Sequence, residues 1–478
     1  MKKRFIYASL IGLVLASSVG CKKIEDFGVA NDNPAATTSP RVDALLTNSI
    51  ASLSGYAFYV TGGYYSQYFS QSQYPDVMLY SLDQSAFTGA YSGILYDLEN
   101  IQLVNTSNNQ NQVAKILQQY VYFQLTNRWG DIPYSQALKG ITVNAPAYDT
   151  QEAIYKGMLS ALTTAATSFN SSAISGDIMF NGDVAAWKRV ANSLRLVISI
   201  QLSKKYPGAN DYAATQFKAA LADAGGVITS NAQNMQITPA APNFRNVIWD
   251  GYNGRKDYGE SKTMTDLTAS LGDARQAVFG GASEQPGNVT TSNVGIPYGG
   301  DKASTEGFTN NNPTWARVLR GDKRDQASPV FIITASQIAL IRAEAANLGW
   351  TTENLSDLYT QGITLSYEQW GVGTPSPAYF ANANVAIGAV GAANNVKNIS
   401  TQRYLASYPD GQQGWNIWRK TGFPALTPAS AAVNSSKQIP RRIAYSPTEQ
   451  TTNKANNDAA IARLSGGNTQ DARMWWDQ

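Results

Sequence analysis

Apolar residues recur along most of this chain at the three-to-four spacing of helices. Val42, Leu45, Leu46, Ile50 and Leu53 form one apolar face, and Val113, Ile116, Leu117, Tyr120, Val121 and Leu125 form another, as amphipathic helices packed on a core require. The same periodicity predicts helices over 153–169, 184–205, 213–222, 334–348 and 355–370. Asp149 or Thr150 can cap the first of these and Asn181 or Asp183 the second, while Gly349 stands where a helix end favours a left-handed residue. Strand-like alternation is scarce, so the predicted class is mainly α. Two polar stretches, Gly280 to Asn312 and Ala378 to Asn398, read as long loops, and loops of that length commonly carry function.

The N-terminus breaks this pattern. Lys2, Lys3 and Arg4 precede an apolar run from Phe5 to Leu15, then small residues lead to Cys21. The run is too short for a membrane span, which needs about 20 apolar residues, and it reads as a secretory signal. Val19, Gly20 and Cys21 resemble the end of a bacterial lipoprotein signal, although Ser18 stands where leucine is usual. Cys21 is the single cysteine, so no intrachain disulfide can form, and its expected job is to carry acyl chains, such as palmitate, that hold the protein to a membrane. The polar segment after it, with Asn31, Asp32, Asn33 and Pro34, reads as a tether. The expected organisation is a signal over 1–20, a lipidated tether over 21–40 and one domain over 41–478. Glu25 and Asp26 loosely resemble an acidic surface-export signal, with Lys22 and Lys23 before them.

Charge and composition narrow the function. The 37 basic and 34 acidic residues become equal once the signal, with three bases and no acid, is removed. A neutral chain without a basic stripe is not expected to bind nucleic acid. The chain has no histidine, which removes Ser-His-Asp and Cys-His catalysis and His-based zinc sites. Paired-carboxylate chemistry stays open in principle, yet no such pair is evident, and the chain is read as a non-enzyme. No cofactor is expected, and a structural calcium is not indicated.

A set of blocks in order carries a family resemblance. Asn127-Arg128-Trp129-Gly130-Asp131-Ile132-Pro133-Tyr134-Ser135 is followed by Gly182-Asp183, Trp187 and Ala191-Asn192-Ser193-Leu194-Arg195-Leu196. Downstream come Ala343-Glu344-Ala345-Ala346, Gly349-Trp350, Trp415, Trp418-Arg419-Lys420-Thr421-Gly422-Phe423-Pro424, Ile439-Pro440-Arg441-Arg442 and Trp475-Trp476. Together they resemble the SusD/RagB family of nutrient-binding outer-membrane lipoproteins, in its SusD-like subgroup, across essentially the whole mature chain. Asp273-Ala274-Arg275 stands where that family commonly has Asp-Pro-Arg. The resemblance implies a helical scaffold of tetratricopeptide-like helix pairs with irregular loops that carry the ligand site. It also implies a surface lipoprotein that hands oligosaccharides to a SusC-like, TonB-dependent barrel.

Read by themselves, these blocks are mostly structural. Gly130 and Gly422 suit turns, and Asn192 and Arg195 inside an apolar helix need hydrogen-bond partners. Glu344, among alanines, reads as a polar tie between helices, and Trp475 and Trp476 as a hydrophobic latch.

A site for sugars needs aromatic faces beside neutral polar groups. The densest such stretch runs from Tyr64 to Tyr80 and contributes Tyr65, Tyr68, Tyr74 and Tyr80 as candidates. A helical reading would put Tyr64, Tyr68 and Gln71 along one side, so several of these rings can be core, whereas Tyr74 precedes Pro75 and is biased toward a loop. Asn243 and Tyr252, then Tyr298 and Trp315, complete the candidate set from two turn-rich regions. Aromatic and amide surfaces also bind extended peptides, so capture of oligopeptides by a RagB-like protein remains the alternative reading. A lid that binds nothing by itself and a glycoside hydrolase using two carboxylates are the remaining ones.

Overall fold

The computed structural model describes residues 40–478; the signal, Cys21 and all but the last residue of the tether lie outside the described residues. Helices dominate, and their ends follow local chemistry. Thr150 caps Gln151–Thr167 by accepting from Ala153 N (3.3 Å). Asp183 caps Val184–Gln201, accepting from the amides of Ala185 (2.8 Å) and Ala186 (3.2 Å). Thr334 and Gln337 form a reciprocal capping box at the start of Ala335–Asn347, satisfying two amide groups that the first turn leaves without partners. Gly349, just past this helix, has φ 71°. The predicted helices thus appear within a few residues of their expected bounds, including Tyr212–Leu221 and Leu355–Trp370.

Consecutive helices pack in pairs. Ile94–Val104 lies against Asn108–Trp129, Gln151–Thr167 against Val184–Gln201, Ala335–Asn347 against Leu355–Trp370, and Asn395–Ser407 against Gly411–Thr421. Residues 42–478 form one compact unit around a continuous core that includes Leu46, Leu117, Val121, Leu194, Ile338 and Trp415. No helix among the described residues is long and apolar enough to cross a membrane.

Many polar side chains are buried with this core, and several of them tie neighbouring elements together. At the start of Asn108–Trp129, Asn109 Nδ2 donates to Asn170 O (2.9 Å) and Ser172 O (2.7 Å), and Gln110 Nε2 donates to Ser175 O (2.7 Å). These bonds tie the 168–175 connection to the helix. Asn192 Nδ2 donates to Gly226 O (3.0 Å) and Arg195 Nη1 to Asn192 Oδ1 (2.9 Å), so the Asn-Ser-Leu-Arg block holds the neighbouring turn. Glu344 joins three helices through Arg403 and Lys420. Burial pushes its carboxyl up, but the two cations outweigh that and hold it below the usual range. The Asp-Ala-Arg block is a buried fork: Arg275 Nε and Nη2 donate to Asp273 (2.9 and 2.6 Å), and Nη2 also reaches Gln402 Oε1 (2.9 Å). Trp476 is fully buried, and Trp475 N donates to Gln151 Oε1 (3.0 Å), closing the C-terminus on the scaffold.

Strands are few, short and paired across long sequence separations. Phe69–Gln71 pairs antiparallel with Tyr258–Glu260, with Gln71 opposite Tyr258. Met235–Ile237 pairs with Val330–Ile333, and Gly280–Gly281 with Arg317–Val318. These ladders correct two expectations. The helix Val60–Tyr65 stops at Tyr65, and Gln67, at φ 59°, turns the chain into a strand, so Tyr64, Tyr68 and Gln71 do not share a helical side. The stretch 280–312 is not all loop, since Lys302–Asn311 is a helix capped by Asp301, which accepts from Ser304 N (2.9 Å). Its scarcity of apolar residues hid it from periodicity. For the same reason Asn395–Ser407, whose buried face is largely amide, hydroxyl and guanidinium, escaped notice.

Candidate functional site

The ladder between Phe69–Gln71 and Tyr258–Glu260 sets the geometry of the candidate site. Beyond its end, Ser72 N donates to Asp257 O (2.8 Å) and Ser72 Oγ to Lys256 O (2.5 Å). The segment that carries Tyr74 therefore runs beside the turn 253–257. That turn, the short helix Val247–Tyr252 and residues 284–286 enclose an open cleft of about 370 Å³. Asn246 starts the helix by accepting from Ile248 N (2.8 Å), and its Nδ2 donates to Ser328 O (2.9 Å), which fixes the wall to the scaffold.

Trp249, Tyr252, Asn253, Lys256, Gln285 and Arg324 line the cleft. Trp249 is half-buried, with Arg245 4.8 Å from the ring centroid. Tyr252 forms the floor. Its hydroxyl donates to Tyr258 O (2.9 Å) and accepts from Val318 N (2.9 Å), so its polar capacity is spent inside the protein. In contrast, among the described residues the side chains of Trp249, Asn253, Lys256 and Gln285 make no hydrogen bond within the chain. They are free to serve a ligand. One carboxylate lines the cleft, Glu284, and Arg317 binds it at 2.5 Å. Burial raises that carboxyl, but Arg317 and then Lys256 outweigh burial and hold it below the usual carboxylate range.

The candidates named from sequence separate into three groups. Tyr252 lines the cleft, and Tyr74, 59% exposed, stands on the neighbouring segment with Lys302 5.9 Å from its ring centroid. Asn243 is exposed ahead of the Val247–Tyr252 helix and does not line the cleft. The others are interior. Tyr65 and Tyr80 lie 6.2 Å apart in the core, and Tyr298 reaches them from a half-buried position, its hydroxyl donating to Tyr64 O (2.8 Å). Tyr68 packs 4.3 Å from Tyr404 and 5.2 Å from Tyr408. Trp315 is buried under Arg317, 3.7 Å from its ring centroid. The rings of Tyr65, Tyr68, Tyr80 and Trp315, so enclosed, present no face to an external molecule. Trp249 is not among the candidates read from the sequence; its place next to Asp250 and Gly251, in turn-rich sequence beside Tyr252, is the signal that marks it.

Two other concavities are built differently. A cleft of about 370 Å³ between Phe87, Tyr91, Tyr96 and Leu138 is mostly apolar; Tyr91 gives its hydroxyl to Pro133 O, and Asn453 Nδ2 donates to Pro146 O (2.7 Å). A smaller one, about 260 Å³, has the buried Trp418 at its base, with Arg441 4.5 Å from the ring centroid. The first offers mainly apolar surface, and the second is the smallest of the three. Among the described residues no group of three or more acidic or cysteine side chains comes together to hold a metal ion.

Residues 32–446 match a family model described as SusD-like, starch-binding associating with outer membrane. The chain belongs to the SusD-like family. Solved structures agree with the fold. A chitin-binding protein is 25% identical with TM-score 0.74, over 91% of this chain and 100% of that one. A chitin-binding SusD homolog from Flavobacterium johnsoniae is 21% identical with TM-score 0.76, over 91% and 98%. A SusD homolog from Bacteroides uniformis is 22% identical with TM-score 0.74, over 92% and 100%. No curated protein sequence matches the chain. The SusD-like helical fold is thus the fold of this chain, and its family is one of outer-membrane-associated binding proteins.

Proposed function

We propose that this SusD-like protein captures oligosaccharides at the cell surface and passes them to a SusC-like, TonB-dependent barrel, while acyl chains on Cys21 hold it to the outer membrane. The observation that supports glycan capture is the cleft itself. A half-exposed indole there stands beside Asn253 and Gln285 amides that, among the described residues, have no hydrogen-bond partner. Sugar rings pack their C–H faces on aromatic rings and turn their hydroxyls to amides. The likeness to a chitin-binding protein supports the same ligand class.

Capture without cleavage fits the cleft's chemistry. Hydrolysis of a glycosidic bond uses two carboxyl groups facing one another about 5 to 9.5 Å apart, and Glu284 lines the cleft as a single carboxylate already bound to Arg317.

Calorimetry of the purified mature protein against a panel of oligosaccharides tests the binding reading. Saturable heat with a member of the panel, weakened at least about tenfold by Trp249→Ala, is expected. Heat with extended peptides and none with glycans would move the reading to oligopeptide capture. Purification in mild detergent tests the delivery reading, where the barrel encoded beside this chain should co-purify. Cys21→Ser should release the protein from the membrane.

A further inference from the structure

The charges around the cleft do not balance, although those of the mature chain do. Glu284 is the single lining carboxylate, and three cations act on it: Arg317 through a hydrogen bond, Lys256 and Arg324 through space. Lys256 is exposed at the cleft and, among the described residues, has no ion-pair partner. Arg324 is 1% exposed and donates to two backbone carbonyls, Leu319 O (2.9 Å) and Ser283 O. Among the described residues no carboxylate bonds it directly. Asp257 accepts from Arg255 Nε (2.7 Å), and Asp250 pairs with Arg245 (2.9 Å), so neither is free to neutralise Lys256. The rim adds Lys302 beside Tyr74, with Glu306 3.8 Å from its ammonium.

Lys256 and Arg324 therefore leave an uncompensated positive field in a concave site, and concavity concentrates such a field on whatever enters. We infer that the ligand of this cleft is an acidic oligosaccharide, with a uronate carboxylate paired to Lys256 over Arg324 and an adjoining sugar ring on Trp249. This rests on the glycan-binding reading above and specifies its substrate class. A neutral glycan would leave the exposed Lys256 without a counter-charge, whereas a carboxylate supplies the charge-assisted contact that the chain withholds from it.

The experiment pairs acidic with neutral ligands of equal length. The full mature protein is titrated with oligogalacturonate, oligoglucuronate and oligomannuronate, and with the matching galacto-, gluco- and manno-oligosaccharides, at low and high salt. A uronate is expected to bind about tenfold more tightly than its neutral counterpart. That ratio should shrink as salt rises, because added ions screen an exposed pair over about 10 Å at 0.1 M and about 3 Å at 1 M. Lys256→Gln should bring the ratio close to one. Helical content measured alongside separates lost charge from lost fold. Equal or tighter binding of the neutral member, still abolished by Trp249→Ala, would overturn the acidic assignment and leave glycan capture standing. Binding of none of the six would overturn the acidic assignment, and failure of the wider oligosaccharide panel as well would overturn both.

Discussion

Arg324 lies over the ring of Tyr252, its guanidinium carbon 4.7 Å from the ring centroid. The floor of the cleft is thus a cation on a buried ring. Burial pushes this guanidinium below its ordinary range, with the ring and Glu284 opposing. Tyr252 also joins Tyr258 O and Val318 N through its hydroxyl. Tyr252→Phe keeps the ring and removes both bonds, leaving the Val318 amide unsatisfied, so a loss of about 1–3 kcal/mol is expected. Urea denaturation of the variant checks it.

Two tyrosines six residues apart should behave in opposite ways. Tyr68 is fully enclosed by Tyr404, Tyr408 and Phe69, and Tyr68→Ala should cost about 3–5 kcal/mol. Tyr74 is largely exposed, and Tyr74→Ala should change stability by less than about 0.5 kcal/mol while weakening oligosaccharide binding. Thermal melts and titrations on the same two variants separate these outcomes.

Glu344 is a structural tie. Its carboxylate holds Arg403 and Lys420, and Lys420 Nζ also donates to Ile200 O (2.9 Å), linking four helices. Removing one charge strands the other two in the interior. Glu344→Gln is expected to destabilise the protein by about 3 kcal/mol or more, read as a shift in the denaturation midpoint.

Glu260 makes the stability depend on pH. It is buried, and burial raises its pKa from 4.5 to about 8, with Gln276 opposing through a 2.8 Å bond to Oε2. The native state therefore keeps a proton that the unfolded chain releases between about pH 4.5 and 8. Stability from this group is full below the lower value and falls as pH rises to the upper one, by up to about 1.4 kcal/mol per pH unit. Glu260→Gln keeps an acceptor toward Gln276 and cannot ionise. The variant should lose less melting temperature than the parent between pH 5 and 8, and equal losses would contradict the assignment.

What was legible in the sequence follows the range of the forces involved. Helices with an apolar stripe, such as Val184–Gln201 and Leu355–Trp370, and caps such as Thr150 and Asp183 depend on neighbours in sequence, and pattern reading finds them. Phe69–Gln71 pairs with residues almost two hundred positions away, so nothing local distinguishes it from the end of a helix. The same distance problem governs the site. Tyr65, Tyr68, Tyr80 and Trp315 have the composition of a sugar platform, but their burial is decided by segments that arrive from residues 404–429 and by Arg317. Tyr74 could be separated from them because Pro75 acts on its immediate neighbour. The charge excess at Lys256 and Arg324 was hidden by the neutrality of the whole chain.

A structure of the protein with a bound oligosaccharide tests the central claim most directly. The account predicts a sugar ring packed on Trp249, with Asn253, Lys256 or Gln285 in hydrogen-bond contact and residues 284–286 closing the opposite wall. Density for the sugar in the apolar cleft at Phe87, Tyr91 and Tyr96, with the Trp249 cleft empty, would contradict it.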